Sequence, residues 1–81
     1  MISFSYNNNR YKAAVVKSGL GIRTDYAVRP TDPSIVRKFG RQTLVFRENG
    51  QFNCDALIDA QFPDYVDALV NAIRDQDKYE N

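Results

Sequence analysis

The sequence predicts an α+β fold: an antiparallel sheet of about five strands, in the order βββαββα, with one short and one long C-terminal helix packed on one face. Two observations predict it. Alternating apolar and polar residues, the pattern of half-buried strands, fill most of the chain up to Ile58. The only long stretch of helical periodicity follows them. With 81 residues, the chain is expected to form a single small globular domain spanning residues 1–81.

The long helix is predicted from Phe62 to Asp77. Pro63 suits the first helical turn, where its missing N–H costs nothing, and Asp64 places negative charge near the positive end of the helix dipole. An isolated helix of this length is marginal in water, so its apolar side needs the sheet as a partner. The apolar residues recur at spacings of three and four and are Phe62, Val66, Leu69, Val70 and Ile73, with Ala68 and Ala72 beside them.

The first two strands are predicted to form a hairpin. Ile2, Phe4 and Tyr6 alternate with serines, so one side of the first strand is apolar. Asn8 and Asn9 tolerate the positive φ angles of a tight turn, and we expect a two-residue turn there. The resulting register sets Tyr6 opposite Tyr11, Phe4 opposite Ala13 and Ile2 opposite Val15.

A third strand and a short helix are predicted next. Gly19 and Gly21 indicate a loop before the strand, which ends at a proline that lacks the N–H of a ladder donor. Asp32 is a helix N-cap with Pro33 at the first helical position, and the helix ends at Gly40. On the strand, Ile22, Thr24, Tyr26 and Val28 alternate with Arg23, Asp25, Ala27 and Arg29, and the helix is expected to bury Ile35, Val36 and Phe39.

A second hairpin is predicted from Thr43 to Ile58, and two turns compete for it. A two-residue turn at Asn49-Gly50 would mix apolar and polar residues on each face of the sheet. A three-residue loop that begins at Glu48, with Gly50 in the left-handed conformation, keeps the large apolar residues together on the core side, so we predict the longer loop. This loop pairs Phe46 with Phe52 and Leu44 with Cys54.

The composition excludes several kinds of active site. The sequence contains no histidine, which excludes Ser-His-Asp and Cys-His catalysis within one chain and any metal site that needs imidazole. Cys54 is the single cysteine and is expected to be an inert core thiol. We therefore predict no enzyme, no cofactor and no metal. No stretch resembles a signal peptide or a membrane span, so a cytoplasmic protein with no membrane contact is expected.

Two weaker patterns have ordinary structural explanations. The Gly19-Leu20-Gly21 stretch lacks the lysine and the strand-to-helix context of a phosphate-binding loop. An acidic cluster matches no calcium loop in its spacing, and its members lie where aspartate commonly caps helices or faces solvent. An enzyme based on carboxylates alone would need two of these acids in one concave pocket. The cluster consists of Asp55, Asp59, Asp64 and Asp67.

The charge of the chain is polarised although its net value is only +1. Residues 1–47 contain nine Lys or Arg and two Asp, whereas residues 48–81 contain two basic and eight acidic residues. The two halves complement each other on one surface, face different partners, or let copies of the chain associate head to tail. The basic candidates are Lys12, Arg23 and Arg29 on the sheet face opposite the core, with Lys17 or Arg47 as additions, and Arg37, Lys38 and Arg41 around the short helix. The acidic candidates are Asp64, Asp67, Asp75 and Asp77.

The sequence favours a non-enzymatic binding protein over other functions. Ala14, Val16, Ala27 and Val45 are expected on the same sheet face as the basic residues, and a mixed apolar and basic face suits contact with a larger protein or a homodimer. Small domains without catalytic residues are often accessory proteins of phages or mobile elements, including inhibitors of host defence complexes. The alternative is a DNA- or RNA-binding domain that uses the basic face to neutralise phosphates.

Overall fold

The computed structural model describes residues 1–54 and 60–80, and it confirms the predicted fold class. Five antiparallel strands form one curled sheet in the order β1-β2-β3-β4-β5, and two helices accompany it. Each strand therefore pairs with its neighbour in the sequence. The strands are β1 (Ile2–Tyr6), β2 (Asn9–Leu20), β3 (Arg23–Pro30), β4 (Thr43–Glu48) and β5 (Gln51–Cys54), and the helices are α1 (Pro33–Phe39) and α2 (Pro63–Glu80).

The first hairpin forms, but its turn lies one residue earlier than predicted. Asn7 and Asn8 occupy the turn with φ angles of 55° and 66°, the left-handed values that a type I′ turn requires. Three consecutive asparagines can all adopt such angles, so the composition did not choose between them. The register shifts by two residues, which keeps every side chain on its predicted face. Ile2 lies opposite Ala13, Phe4 opposite Tyr11 and Tyr6 opposite Asn9.

The predicted loop around Gly19 is wrong, because β2 continues through this glycine. The turn is formed by Gly21 and Ile22, and Gly21 has a φ of 70°. A glycine at the first position is what a type II′ hairpin turn needs. Ile22, which was expected on the apolar side of the strand, is instead 71% exposed in this turn. The two-residue connection sets Leu20 opposite Arg23 and keeps the long β2–β3 ladder in register.

The short helix α1 begins and ends as predicted. The carboxylate of Asp32 accepts a hydrogen bond from the backbone N–H of Ser34 at 2.8 Å, which satisfies one of the donors left open at the helix start. Gly40 follows the last turn with a φ of 94°, and its N–H donates to the carbonyl of Val36 at 2.8 Å.

The predicted register of the second hairpin is wrong. Asn49 and Gly50 form a two-residue turn with φ angles of 54° and 79°. This type I′ geometry matches the twist of the strands, and it determines the register although the apolar alternation favours another one. Val45 of β4 faces the core and is fully buried, as is most of Thr43, whereas Leu44 and Phe46 lie on the opposite face. The pairs are Val45 with Cys54, Phe46 with Asn53, Arg47 with Phe52 and Glu48 with Gln51.

Helix α2 packs its apolar side on the inner face of the sheet, the face that also contacts α1. Tyr65 was not predicted among the apolar residues of this helix, yet it is fully buried. Its ring stacks on Phe39 at 3.7 Å between centroids and meets the edges of Phe4 and Tyr6 at 5.8 and 5.5 Å. These rings join α1, α2 and β1. The other buried residues of the core are Ile2, Ala13, Tyr26, Val28, Ile35, Val45, Leu69, Ala72 and Ile73.

Candidate interaction surface

The outer face of the sheet, opposite the helices, carries a continuous row of apolar residues. Val16 of β2 pairs with Ala27 of β3, and Ala27 pairs with Leu44 of β4. Successive residues of a strand point to opposite faces, so these three paired residues share the outer face. Val16 is 51% exposed and Leu44 is 42% exposed. We call these three residues the apolar row. Val45 was expected on this face in place of Leu44, and it lies in the core.

Basic side chains border the apolar row on one side. Arg29 lies on the outer face opposite Ala14, and its Nε donates to the side-chain oxygen of Gln42 at 3.0 Å. Lys12 is exposed two residues before Ala14 on the same strand. Arg10, which was absent from the predicted set, is also exposed there. Its position two residues before Lys12 in the same strand was the signal that could have identified it.

The opposite border of the apolar row is charged but balanced. Arg23 and Asp25 form an ion pair at 2.8 Å between Nε and Oδ1, and both side chains are partly exposed. This hydrogen bond raises the pKa of Arg23 above its usual value. The guanidinium also lies 4.2 Å from the ring centroid of Phe46. This cation–π contact covers part of the Phe46 ring, which would otherwise face water on this side of the sheet. Arg23 is therefore engaged with its own sheet.

Two of the remaining basic candidates, Arg37 and Lys38, lie away from the outer face. Arg37 and Lys38 belong to the last turn of α1, which packs on the inner side of the sheet. The ammonium of Lys38 lies within 5.4 to 5.8 Å of three aromatic ring centroids, including those of Phe39 and Phe62. Arg41 is exposed in the segment between α1 and β4. The six predicted basic residues are thus divided between two sides of the molecule.

The acidic candidates lie on the exposed side of α2, across the molecule from the outer face. Asp64, Asp67 and Asp75 are all exposed. Grooves flank this side of the helix. Asp67 and Asn71 line a groove toward β5. Asp75 lines two adjoining cavities toward β1. The side chain of Asp77 lies outside the described residues, as do Asp55 and Asp59.

The groove between β5 and α2 has a volume of about 510 Å³ and contains little that could perform catalysis. Asp67 is its single described carboxylate, and Arg74 of the same groove lies 5.1 Å from the ring centroid of Phe52. Cys54 points to the core side as predicted, but it is half-buried at the groove wall. Within residues 1–54 and 60–80, no group of three or more metal-ligating side chains is present.

Comparisons with known proteins identify no relative of this chain. No protein-family model, no curated protein and no solved structure matches the chain. Among the described residues, no helix has the length and apolar character needed to cross a membrane.

Proposed function

We propose that this chain is a non-enzymatic, cytoplasmic binding protein that docks on a larger protein through the outer face of its sheet. One observation carries the proposal: the apolar row is exposed on the face opposite the two described helices, between Lys12 and Arg29 on one side and the Arg23–Asp25 pair on the other. A cluster of exposed apolar residues rimmed by polar groups is typical of a protein contact site.

The charges of this face favour an acidic partner surface. Lys12 and Arg29 supply positive charge at the rim, where such charge steers association and fixes orientation more than it adds affinity. The affinity comes from removing Val16 and Leu44 from water. The mechanism is steric: the protein covers a functional surface of its partner. A phage or mobile-element protein that inhibits a host defence complex would act in this way.

The experiment compares matched variants in a pull-down from lysate of the native host, with and without nuclease. Leu44→Glu places a charge in the apolar row, and Asn71→Glu places the same charge at an exposed position of helix α2, away from the outer face. We expect a stoichiometric protein partner that survives nuclease, is lost with Leu44→Glu and is retained with Asn71→Glu. Equal retention by both variants would contradict the proposal.

A second candidate function is nucleic-acid binding. The observation that favours it is the alignment of Arg10, Lys12 and Arg29 along one end of the outer face, where they can neutralise adjacent phosphates. This function requires affinity that falls log-linearly with salt. Replacing both Lys12 and Arg29 by glutamine should then reduce the salt slope by about two. Retention of nucleic acid alone, lost on digestion, would favour this function over protein docking.

A further inference from the structure

Helix α2 carries a polar stripe that forms one wall of a groove. Asp67, Asn71 and Arg74 recur at spacings of four and three, so they lie along one side of the helix. All three line the groove between α2 and β5, which has a volume of about 510 Å³. A polar stripe is ordinary on the solvated side of a helix, but this one borders a concavity of the size that holds a small molecule.

The side chains of this stripe are not used by the fold. Among residues 1–54 and 60–80, no hydrogen bond or ion pair engages the side chains of Asp67, Asn71 and Arg74. All three are exposed. Arg74 is nevertheless positioned, because its guanidinium lies 5.1 Å from the ring centroid of Phe52. The groove therefore presents a carboxylate, an amide and a guanidinium whose hydrogen-bonding groups are open to a ligand.

Positive charge is concentrated at the Arg74 end of the groove. The guanidinium of Arg47 lies 5.8 Å from the same ring centroid of Phe52. The ammonium of Lys17 lies 5.8 Å from the ring centroid of Tyr26, which neighbours that of Phe52 at 6.1 Å. Lys17 and Arg47 were predicted as additions to the outer face, but their pairing with Tyr26 and Phe52 places them on the inner face. Cations gathered in this way favour an anionic group, and guanidinium matches phosphate in particular.

The other end of the groove accepts hydrogen bonds. Asp67 lies seven residues before Arg74, a rise of about 10 Å along the helix axis. Its carboxylate only accepts, so its two oxygens suit a ligand edge with two adjacent N–H donors, and Asn71 between them both donates and accepts. The floor of the groove is apolar and consists of Phe52, Cys54, Val66 and Val70. A matching ligand has N–H donors at one end, a phosphate at the other and an apolar surface between them.

We propose that this groove binds a guanine nucleoside 5′-phosphate. The pairing edge of guanine presents two adjacent donors, the ring N–H and the amino group, which match the two oxygens of Asp67. The ribose then directs the phosphate toward Arg74, and Arg47 adds positive charge there. The site lies on the inner side of the sheet, so it is independent of docking through the apolar row.

The test is a titration of the isotope-labelled full chain with guanosine 5′-monophosphate, followed through backbone amide chemical shifts. We expect saturable shifts at the residues of the groove and none at Val16 or Leu44. Guanosine and ribose 5-phosphate each retain one end of the ligand, so each should bind at least about tenfold more weakly than the nucleotide. Ribose 5-phosphate that binds as tightly as the nucleotide would overturn the proposal, because the site would then recognise an anion alone.

Two variants with matched controls test the two ends of the groove. Arg74→Gln and Asp67→Asn should each raise the Kd for the nucleotide at least about tenfold. Loss of a negative charge would strengthen binding if attraction to the phosphate alone held the ligand, so weaker binding by Asp67→Asn is diagnostic of contact with the base. The controls Arg41→Gln and Asp64→Asn change exposed residues outside the groove and should bind like the wild type.

The same titration separates this proposal from the docking proposal. Leu44→Glu should bind the nucleotide normally, because Leu44 lies on the outer face. The absence of saturable shifts up to millimolar nucleotide would overturn the nucleotide site, as would equal Kd values for Arg74→Gln and Arg41→Gln. Neither result affects capture of a protein partner by the apolar row.

Discussion

Replacing Tyr65 by phenylalanine tests whether the hydroxyl group is buried where the structure places it. Tyr65 is fully buried, and its hydroxyl lies near the buried hydroxyl of Thr43. Among the described residues, neither hydroxyl has a hydrogen bond of ordinary geometry. Burial raises the pKa of Tyr65 from 10 to about 12, and the Thr43 hydroxyl offsets part of the rise. The folded protein therefore disfavours the tyrosinate form more strongly than the unfolded chain does.

The sign and size of the effect follow from this shift. The neutral phenol contributes its full stabilisation below pH 10, and that contribution is lost as the pH rises toward about 12, because the unfolded chain loses its proton first. Two pKa units correspond to a limiting loss of about 2.7 kcal/mol, most of it by pH 12. Tyr65→Phe cannot ionise and lacks this loss.

Urea unfolding at a series of pH values measures the effect directly. The difference in unfolding free energy between the wild type and Tyr65→Phe cancels the titration of all other groups. Near neutral pH, we expect a difference smaller than about 1.5 kcal/mol, since the lost hydroxyl is poorly hydrogen-bonded. Above pH 10, the wild type should lose stability relative to the variant. A difference that stays constant through this range would refute the burial of the hydroxyl.

Two further predictions concern the register of β4 and the start of α1. Val45→Glu should destabilise the fold by more than about 4 kcal/mol because it buries an unpaired charge, whereas Leu44→Glu on the outer face should change stability by about 0.5 kcal/mol or less. Urea unfolding of both variants measures the two free energies of unfolding. If Leu44→Glu proved the more destabilising, the three-residue loop would be correct. Asp32→Ala should destabilise α1 while Asp32→Asn retains the cap. The hydrogen bonds from Ser34 lower the pKa of Asp32, so the destabilisation by Asp32→Ala should shrink as the pH falls below 3.8, as followed by thermal unfolding; a pH-independent difference would contradict the capping role.

The helices and the two faces of β1 were predictable because each is determined by local chemistry. The side chain of Asp32 caps the start of α1, and Gly40 ends the helix with a positive φ; neither depends on distant contacts. The predicted turn of the first hairpin was wrong by one position, but this shifts the register by two residues, so each side chain stays on its predicted face. Local rules therefore sufficed where an error left the inside and outside of the sheet unchanged.

The second hairpin failed because two local rules disagreed and the sequence did not show which was stronger. Apolar pattern placed Phe46 and Leu44 inside, whereas Asn49-Gly50 is the strongest short hairpin signal. The structure follows the turn, and it accommodates Phe46 outside because Arg23 of the neighbouring strand covers the ring. That cover depends on a contact between β3 and β4, which no local pattern shows. The apolar row was consequently predicted with Val45 in place of Leu44.

The surfaces were predictable in part. The sequence placed Lys12 and Arg29 on the outer face and the aspartates on α2, and the structure separates these two groups. The sequence also placed Arg37 and Lys38 around the short helix, and α1 lies on the inner side of the sheet through packing of Phe39 against Tyr65. The cavities beside β1 could not be predicted, since Arg10 and Asp75 line them together only in the folded chain.

The most direct test of the docking proposal is the affinity of the captured protein partner for three variants of this chain. Leu44→Glu alters the apolar row, Asn71→Glu on α2 is the matched control, and Asp64→Lys reverses a charge on the acidic side of α2. The outer-face proposal predicts that Leu44→Glu weakens binding at least about tenfold, or 1.4 kcal/mol, while the other two variants bind like the wild type. Loss of binding with Asp64→Lys and normal binding with Leu44→Glu would contradict it and would make the acidic helix the docking surface.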